Sequence, residues 1–265
     1  SGGRRNGADA LATARQHGYH EEYLGCPVII ADGMDGRNVI YLQAGYKHFK
    51  EVQVASVFDI TDGYVIFSHF KGHMASGFVG SIKNISMGFA SRAQKQRMHA
   101  DVKPVLKKNS CSRCGLCVEI CPAGAAIGSE GDYPSYNLDL CVGCAQCIGL
   151  CPEEALEISW QCEHNVFLEK LVETAAAVWK KIGDKTILIN ALLKITADCD
   201  CLPGRNPVIA PDKGFIGGYH PTDVDAASIM HMGHKAIDKT HPHVPWRHQF
   251  HYCQSIDFHH GKIDI

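Results

Sequence analysis

The chain has 265 residues, of which 45% are hydrophobic and 20% charged, a balance that excludes a disordered chain, a collagen and a coiled coil. Its 26 basic and 28 acidic residues give a formal net charge of −2, so we expect no nucleic-acid partner, and its short apolar runs predict no membrane span. Thirteen cysteines and 16 histidines are the outliers. Because 13 is odd and a chain of this size needs no disulfide framework, we expect reduced, metal-binding thiols and a cytoplasmic, low-oxygen location.

Turn residues divide the first hundred residues into short predicted segments. The glycine-rich stretch 72–92 is predicted to combine loop and helix close to a site, and residues 91–99 permit a helix. The other predicted elements here are a helix over 7–18 and strands over 27–31, 39–43, 49–57 and 64–68.

The most regular helical pattern follows the centre of the chain, where apolar residues recur every three or four positions. The predicted elements here are a helix over 163–181, a strand over 185–189, a loop over 198–211, a strand over 214–218 and a helix over 221–237. The alternation of strands and helices predicts an α/β (α+β) domain with a mixed or parallel sheet. We expect this domain to be formed by residues 1–104 and 161–265, with an inserted domain over 105–160.

Two runs of four cysteines lie in the predicted insert, and both have the spacing C-x2-C-x2-C-x3-C-P. The first begins at Cys111 and the second, 30 residues later, at Cys141. In ferredoxins with two clusters, the fourth cysteine of each run binds the other cluster, whereas structural zinc usually takes paired C-x2-C modules. The segment resembles bacterial two-cluster ferredoxins, so we expect two 4Fe–4S clusters. The expected ligands are Cys111, Cys114, Cys117 and Cys151 for one cluster and Cys141, Cys144, Cys147 and Cys121 for the other.

Polar residues outside the insert supply candidates for a second site. A histidine, a lysine and a second histidine follow the predicted strand 64–68, and ligands often bind at the carboxyl ends of strands. In Asp-Cys-Asp-Cys (198–201), residues two apart face the same way on an extended chain, so both thiols could hold a metal or simply pack in a loop. The cations of 80–95 either bind an anion or form a solvated face. The candidate catalytic residues are His69, Lys71, His73, Lys83, Arg92, Cys199 and Cys201; a third metal site would use His69, His73, His99, Cys199 and Cys201.

Six short motifs occur in a fixed order around the cysteine runs. They are His69–His73, Gly80–Arg92, His99 with Lys103-Pro104, Asp198–Cys201, Pro211-Asp212 and Pro221–Ala227. From Arg5 onward the chain resembles the iron–sulfur-centre family catalogued as domain of unknown function 362. The resemblance implies an α/β domain containing a ferredoxin insert, and it places the first and fourth motifs in one domain, where we expect them to converge near a cluster. A further N-terminal α/β segment of that family is expected to be missing from this chain.

Three functions fit these patterns. The first is a redox enzyme whose two clusters exchange electrons with the His/Cys/Lys site, where the cations hold a small anionic substrate. The second is a ferredoxin-like carrier subunit with no substrate of its own, and the third is a maturation factor that hands metal or a cofactor to a client. All three require a redox partner protein or a client.

Overall fold

The computed structural model describes residues 6–99, 104–121, 123–141, 146–158, 164–199 and 206–261. The helices of this part are α1 Gly7–Gln16, α2 Glu21–Leu24, α3 Ser81–Phe89, α4 Arg92–His99, α5 Leu116–Glu119, α6 Gln146–Leu150, α7 His164–Ile182, α8 Pro221–Met232, α9 Lys235–Thr240 and α10 His248–Ser255. The strands are β1 Val39–Gln43, β2 Glu51–Ala55, β3 Tyr64–His69, β4 Lys71–His73, β5 Gly77–Val79, β6 Pro104–Leu106, β7 Ala126–Ile127, β8 Ser135–Tyr136, β9 Leu156–Ile158, β10 Thr186–Leu192, β11 Ile195–Thr196, β12 Val208–Ala210 and β13 Gly214–Gly218.

A three-stranded sheet in the order β13-β10-β3 forms the centre of the α/β part. Strand β3 runs parallel to β10, whereas β13 runs antiparallel to it, so the predicted mixed sheet is confirmed. Helices α3 and α8 pack on this sheet, and α7 packs on α3. The buried side chains of the strands, such as Ile66 and Leu188, point towards these helices, while Val65 and Phe67 alternate with them and stay exposed.

Helix α7 is the core helix of the α/β part, because α3, α4, α10 and the β1–β2 hairpin all contact it. It buries most of its length, including two acidic side chains. The carboxylate of Glu173 accepts hydrogen bonds from the backbone of Phe49 at 2.9 Å and from the hydroxyl of Tyr252 at 2.7 Å. Glu169 accepts from His48 at 2.6 Å and from His248 at 2.9 Å. Both acids therefore tie α7 to the turn before β2 and to α10.

The buried carboxylate of Asp225 joins α8, α3 and β10. It accepts hydrogen bonds from the backbone N–H groups of Ser81 (2.6 Å) and Ile82 (3.0 Å) and from the side-chain amide of Asn190 (2.8 Å). Gly80 leaves the necessary space, because a Cβ atom there would overlap this carboxylate. Part of the stretch 80–95, a predicted candidate for anion binding, therefore binds a carboxylate of the protein itself. The backbone at the first turn of α3 holds Asp225.

Four predicted elements differ from the structure. Residues 27–30 have no regular secondary structure and residue 31 lies in a turn, whereas the sequence predicts a strand over 27–31. The predicted strand over 49–57 is limited to β2, and residues 56–59 form a 3₁₀ helix. The predicted helix over 221–237 is divided into α8 and α9 at Gly233, whose φ of 88° is costly for other residues. The predicted loop 198–211 contains β12, which pairs with β11.

The cysteine segment contains two halves with the same order of elements. Strand β6, helix α5 and strand β7 form the first half, and β8, α6 and β9 the second. The outer strands β6 and β9 pair with each other, as do the inner strands β7 and β8, and α5 contacts α6. This pairing brings the two cysteine runs together, and α6 also contacts α4 of the α/β part.

Asp225→Ala should lower the free energy of unfolding by about 3 kcal/mol, because buried backbone donors at the start of α3 lose their acceptor. Urea unfolding followed by far-UV circular dichroism measures this change. The matched control is Asp223→Ala on the same helix, whose carboxylate is 43% exposed and pairs with His260 at the surface. We expect a loss within about 0.5 kcal/mol for the control; equal losses for the two variants would contradict the role given to Asp225.

Candidate sulfur and histidine sites

Four of the predicted cluster ligands line one cavity. Cys111 and Cys114 come from the loop that leads into α5, Cys117 lies within α5, and Cys151 directly follows α6. Leu106, Leu156 and Pro134 form an apolar wall of the same cavity. The cavity thus combines three thiols of the first cysteine run with one thiol of the second.

Backbone N–H groups point at the sulfur atoms of both runs. Ala155 donates to Cys151 at 3.4 Å and Ala125 donates to Cys121 at 3.2 Å, at the same place in each half of the segment. Burial opposes ionisation of Cys121, but the N–H groups of residues 123–126 outweigh it and lower the pKa of this thiol. The local backbone therefore favours the thiolate, the form that binds iron.

Tyr136 at the end of β8 lies near cysteines of both runs. Burial raises the pKa of its hydroxyl, and so does the neighbouring Cys117, with smaller contributions from Cys147 and Cys151. Within the described residues, no hydrogen bond of good geometry satisfies this buried hydroxyl. A sulfur acceptor held by the cysteines would supply the missing partner, so the residues fit an iron–sulfur cluster. Cys144 lies outside the described residues.

The cavity lined by the four cysteines reaches the protein surface. Cys114 is exposed, whereas Cys111 and Cys117 are half-buried. Beside Cys114, the guanidinium of Arg113 lies 4.7 Å from the ring centre of Tyr133, and the ammonium of Lys108 lies 5.6 Å from it. Basic side chains thus lie beside the exposed side of this cavity, and the acidic Glu153 also lines it.

In the α/β part, the structure brings His73, Lys83 and His99 together. They come from β4, α3 and α4, respectively. Burial, followed by the charge of Lys83 and the neighbouring His99 and His241, lowers the pKa of His73 to about 2. Burial and Lys83 lower the pKa of His99 to about 4. Both imidazoles are thus neutral near pH 7, and His73 accepts hydrogen bonds at Nδ1 from the backbone of residues 75 and 76, both at 3.1 Å.

The Asp198 segment lies against the same group. Gly72 packs so closely on the carbonyl of Ala197 that a Cβ atom would not fit, and this contact joins the first and fourth motifs. His241 Nε2 lies 2.7 Å from the Ala197 carbonyl and 3.4 Å from Oδ1 of Asp198. The shorter contact takes the hydrogen bond, which leaves Asp198 Oδ1 buried without one in the described part of the chain. Cys199 is half-buried beside it, and Cys201 lies outside the described residues.

His241 was missed from the sequence because its neighbours, such as His243, form a polar tail that is typical of a solvated surface. The only signal was the histidine-rich composition of residues 220–260. The contact with residue 197 is long-range in sequence, so no local spacing reveals it.

Two other predicted residues, His69 and Arg92, have different surroundings. His69 Nε2 is 2.7 Å from the carbonyl of Leu193, and burial lowers its pKa, with Lys71 as its charged neighbour. Arg92 begins α4, whereas His99 ends it, and Arg92 lines a different cavity. In the described ranges, no three His, Cys, Asp or Glu side chains are placed to hold a single metal ion, so the third metal site stays a prediction that includes Cys201.

None of the helices in the described ranges has both the length and the apolar character needed to cross a membrane.

His73→Gln should flatten the dependence of stability on pH. An unfolded histidine takes up a proton near pH 6.5, whereas His73 in the folded chain does so near pH 2. Protonation therefore favours the unfolded chain, and the free energy of unfolding falls as the pH drops below 6.5. Urea unfolding at pH 7.5 and 5.5 should show a smaller fall for His73→Gln than for the wild type. The exposed control His231→Gln should match the wild type; a flattening in the control as well would contradict this assignment.

Comparisons with known proteins match the chain to one family model and, over shorter stretches, to several individual proteins. The family model described as "Domain of unknown function (DUF362)" matches residues 1–230. Over 57 residues the chain is 37% identical to pyruvate synthase subunit PorD of Thermotoga maritima, a match of 22% of this chain and 58% of that subunit. Over 64 residues it is 39% identical to protein NrfC of Escherichia coli, covering 23% of this chain and 29% of the relative. The chain therefore spans less than two thirds of these two relatives.

A third match covers most of its relative. Over 60 residues the chain is 33% identical to an uncharacterized ferredoxin of Methanocaldococcus jannaschii, a match of 22% of this chain and 78% of the ferredoxin. The match to a relative named as a ferredoxin agrees with the paired cysteine runs, and the family model covers the longer span of residues 1–230. The chain belongs to the family described as domain of unknown function 362, and it carries a ferredoxin-like segment.

Proposed function

We propose that this protein transfers electrons through two 4Fe–4S clusters and is a redox enzyme whose substrate site lies in the α/β part. The main support for the electron-transfer role is the cavity lined by three cysteines of one run and the last cysteine of the other. A zinc site built from one run would not need a thiol from the second. The crossed set is the one that two-cluster ferredoxins use.

The cysteines divide into two ligand sets under this proposal. Cluster chemistry supplies one-electron oxidation and reduction. The ligand sets are Cys111, Cys114, Cys117 and Cys151, and Cys141, Cys144, Cys147 and Cys121. Thiolate ligands require a reducing compartment, for which the cytoplasm is our proposal.

The chain's own residues control the surroundings of these thiolates. The N–H groups that point at Cys121 and Cys151 stabilise negative charge on sulfur. The hydroxyl of Tyr136 is a buried donor beside Cys117. The exposed side of the first cavity, at Cys114, provides the surface for a redox partner protein.

The substrate site of the proposed enzyme is the group formed by His73, Lys83 and His99. Lys83 is buried, and a buried cation favours an anionic ligand or counter-ion nearby. Both imidazoles are neutral near pH 7, and His73 accepts backbone hydrogen bonds at Nδ1, so its other ring nitrogen carries the proton and can donate a hydrogen bond to a ligand. Cys199 and Cys201 would add thiols to the same site. His69 and Lys71, which precede His73 in the chain, are proposed as further residues of this site, whereas Arg92 lines a separate cavity. A small anionic substrate is the ligand class that fits these charges.

Elemental analysis of anaerobically purified protein tests the cluster proposal. We expect about eight iron atoms and eight acid-labile sulfides per chain. Cys111→Ala and Cys151→Ala belong to different runs but should remove the same cluster signal in the electron paramagnetic resonance spectrum of the reduced protein, because both thiols line one cavity.

The control for these variants is Cys26→Ala, an exposed cysteine outside both runs, which should keep the wild-type iron content and spectrum. If Cys151→Ala instead removed the signal that Cys141→Ala removes, the crossed ligand assignment would be wrong. Wild-type protein without iron and sulfide after anaerobic purification would contradict the whole proposal.

Tyr136→Phe should lower the reduction potential of a cluster, because a donor to sulfur stabilises the reduced, more negative state. Redox titration followed by electron paramagnetic resonance measures this potential. Tyr133→Phe is the matched control, since its ring packs under Arg113 near the same cavity and its hydroxyl has no described contact with a cysteine. Equal potentials for wild type and Tyr136→Phe would show that the hydroxyl does not donate to a cluster sulfur.

The ferredoxin-like carrier is the second candidate, and the exposure of Cys114 favours it. A carrier gives up electrons only to a protein, whereas the enzyme also gives them to a small anion. Stopped-flow mixing of the reduced protein with a panel of small carboxylates separates the two. Reoxidation accelerated in the wild type but not in Lys83→Gln supports the enzyme; no acceleration by any member supports the carrier.

A further inference from the structure

We propose that a cavity between the α/β part and the cysteine segment binds a small organic carboxylate with an apolar body. The cavity has a volume of about 270 Å³, near the lower end of the range for small-molecule sites. One wall is formed by β1 and β2, another by the start of α4, and the floor by the ends of α5 and α6. This site is distinct from the group around His73.

Arg92 supplies the positive charge of this cavity. Its side chain is half-buried, and none of the residues that the structure describes gives it a hydrogen bond or an ion pair. The aliphatic part of the side chain packs against Gly36, where a Cβ atom would lie 3.1 Å from its Cδ. A partly buried guanidinium with unused donors binds a carboxylate through paired hydrogen bonds better than it binds a neutral group.

A chain of hydrogen bonds orients a second donor towards the cavity. The hydroxyl of Ser91 donates to Gln53 at 2.5 Å, and the amide of Gln53 donates to the hydroxyl of Tyr41 at 2.7 Å. The Tyr41 oxygen therefore acts as an acceptor within this chain, and its own proton is left to donate. Both Gln53 and Tyr41 line the cavity, so the tyrosine offers this proton next to the guanidinium.

The rest of the lining selects a ligand with an apolar body. Val39, Ala93, Ile120 and Leu150 form this surface. An inorganic anion would leave these side chains without a partner. Arg37 at the rim pairs with Asp35 at 3.5 Å, so Arg92 is the cation that remains for the ligand.

The position of the cavity connects the ligand to both cysteine runs. Ile120 and Leu150, at its floor, directly precede Cys121 and Cys151 in the chain. Two residues that line the cavity thus neighbour, along the chain, one proposed ligand of each cluster. Use of the bound carboxylate as the redox substrate rests on the proposed function, whereas its binding does not.

Benzoate is a suitable probe, because it combines a carboxylate with a compact apolar ring. Isothermal titration calorimetry on the anaerobically purified holoprotein should show saturable binding at one site. Benzamide, which lacks the charge, and acetate, which lacks the ring, should each bind at least tenfold more weakly.

Arg92→Gln should weaken benzoate binding at least tenfold, because a charge-assisted hydrogen bond is lost. Arg97→Gln is the matched control on the same helix, since its guanidinium lies over Phe49 and bonds to Gln94 rather than lining the cavity. Val39→Phe narrows the cavity without a change of charge and should also weaken binding, which keeps the test valid if Arg92→Gln does not fold.

Wild-type protein that does not bind benzoate, or binding that is equal in wild type, Arg92→Gln and Val39→Phe, would overturn the proposal. Iron and sulfide content, measured on the same samples, separates this result from the cluster proposal. Protein with about eight iron atoms but no benzoate binding refutes the cavity site alone. Binding in protein that lacks clusters supports the cavity site and refutes the proposed electron transfer.

Discussion

The buried carboxylate of Asp225 is the interaction on which the candidate substrate site depends. A buried charge is tolerated only when hydrogen bonds replace its lost hydration, and here α3 and β10 supply them. Burial nevertheless raises the pKa of Asp225 to about 6, against the effect of its hydrogen bonds. Because the donors sit at the start of α3, the contact fixes that helix and therefore Lys83, which follows Ile82 in the same turn. Strand β10 in turn sets the position of β3, which leads into β4 and His73.

The sequence predicts those features that depend on local spacing. The cysteine runs are of this kind, because ligand spacing within a loop is a property of the loop itself. Helix α7 is another, since its apolar residues recur at helical intervals. The contacts that assemble the α/β site are different: Asp225 meets residue 81, and His241 meets residue 197, across long stretches of chain. No local pattern specifies such pairs. The sequence therefore identifies candidate site residues, but it does not show which of them lie together in the fold.

The difference between local spacing and long-range contacts also explains why the sequence predicts a single site that includes both Arg92 and His99. They lie seven residues apart in the chain, in two successive motifs of the six. In the structure they occupy opposite ends of α4, and a helix of eight residues separates its ends by about 10 Å. Arg92 at one end lines the cavity beside α5 and α6. The imidazole of His99 at the other end stacks on Phe167 of α7, with ring centres 4.8 Å apart.

Helix α4 is therefore the element that connects the two parts of the molecule. It contacts α6 of the cysteine segment on one side and α7 of the α/β core on another. Its first residue contributes the cation of the carboxylate cavity, and its last contributes a neutral imidazole beside Lys83. Because the helix is only eight residues long, it places one side chain at each site, although no side chain belongs to both.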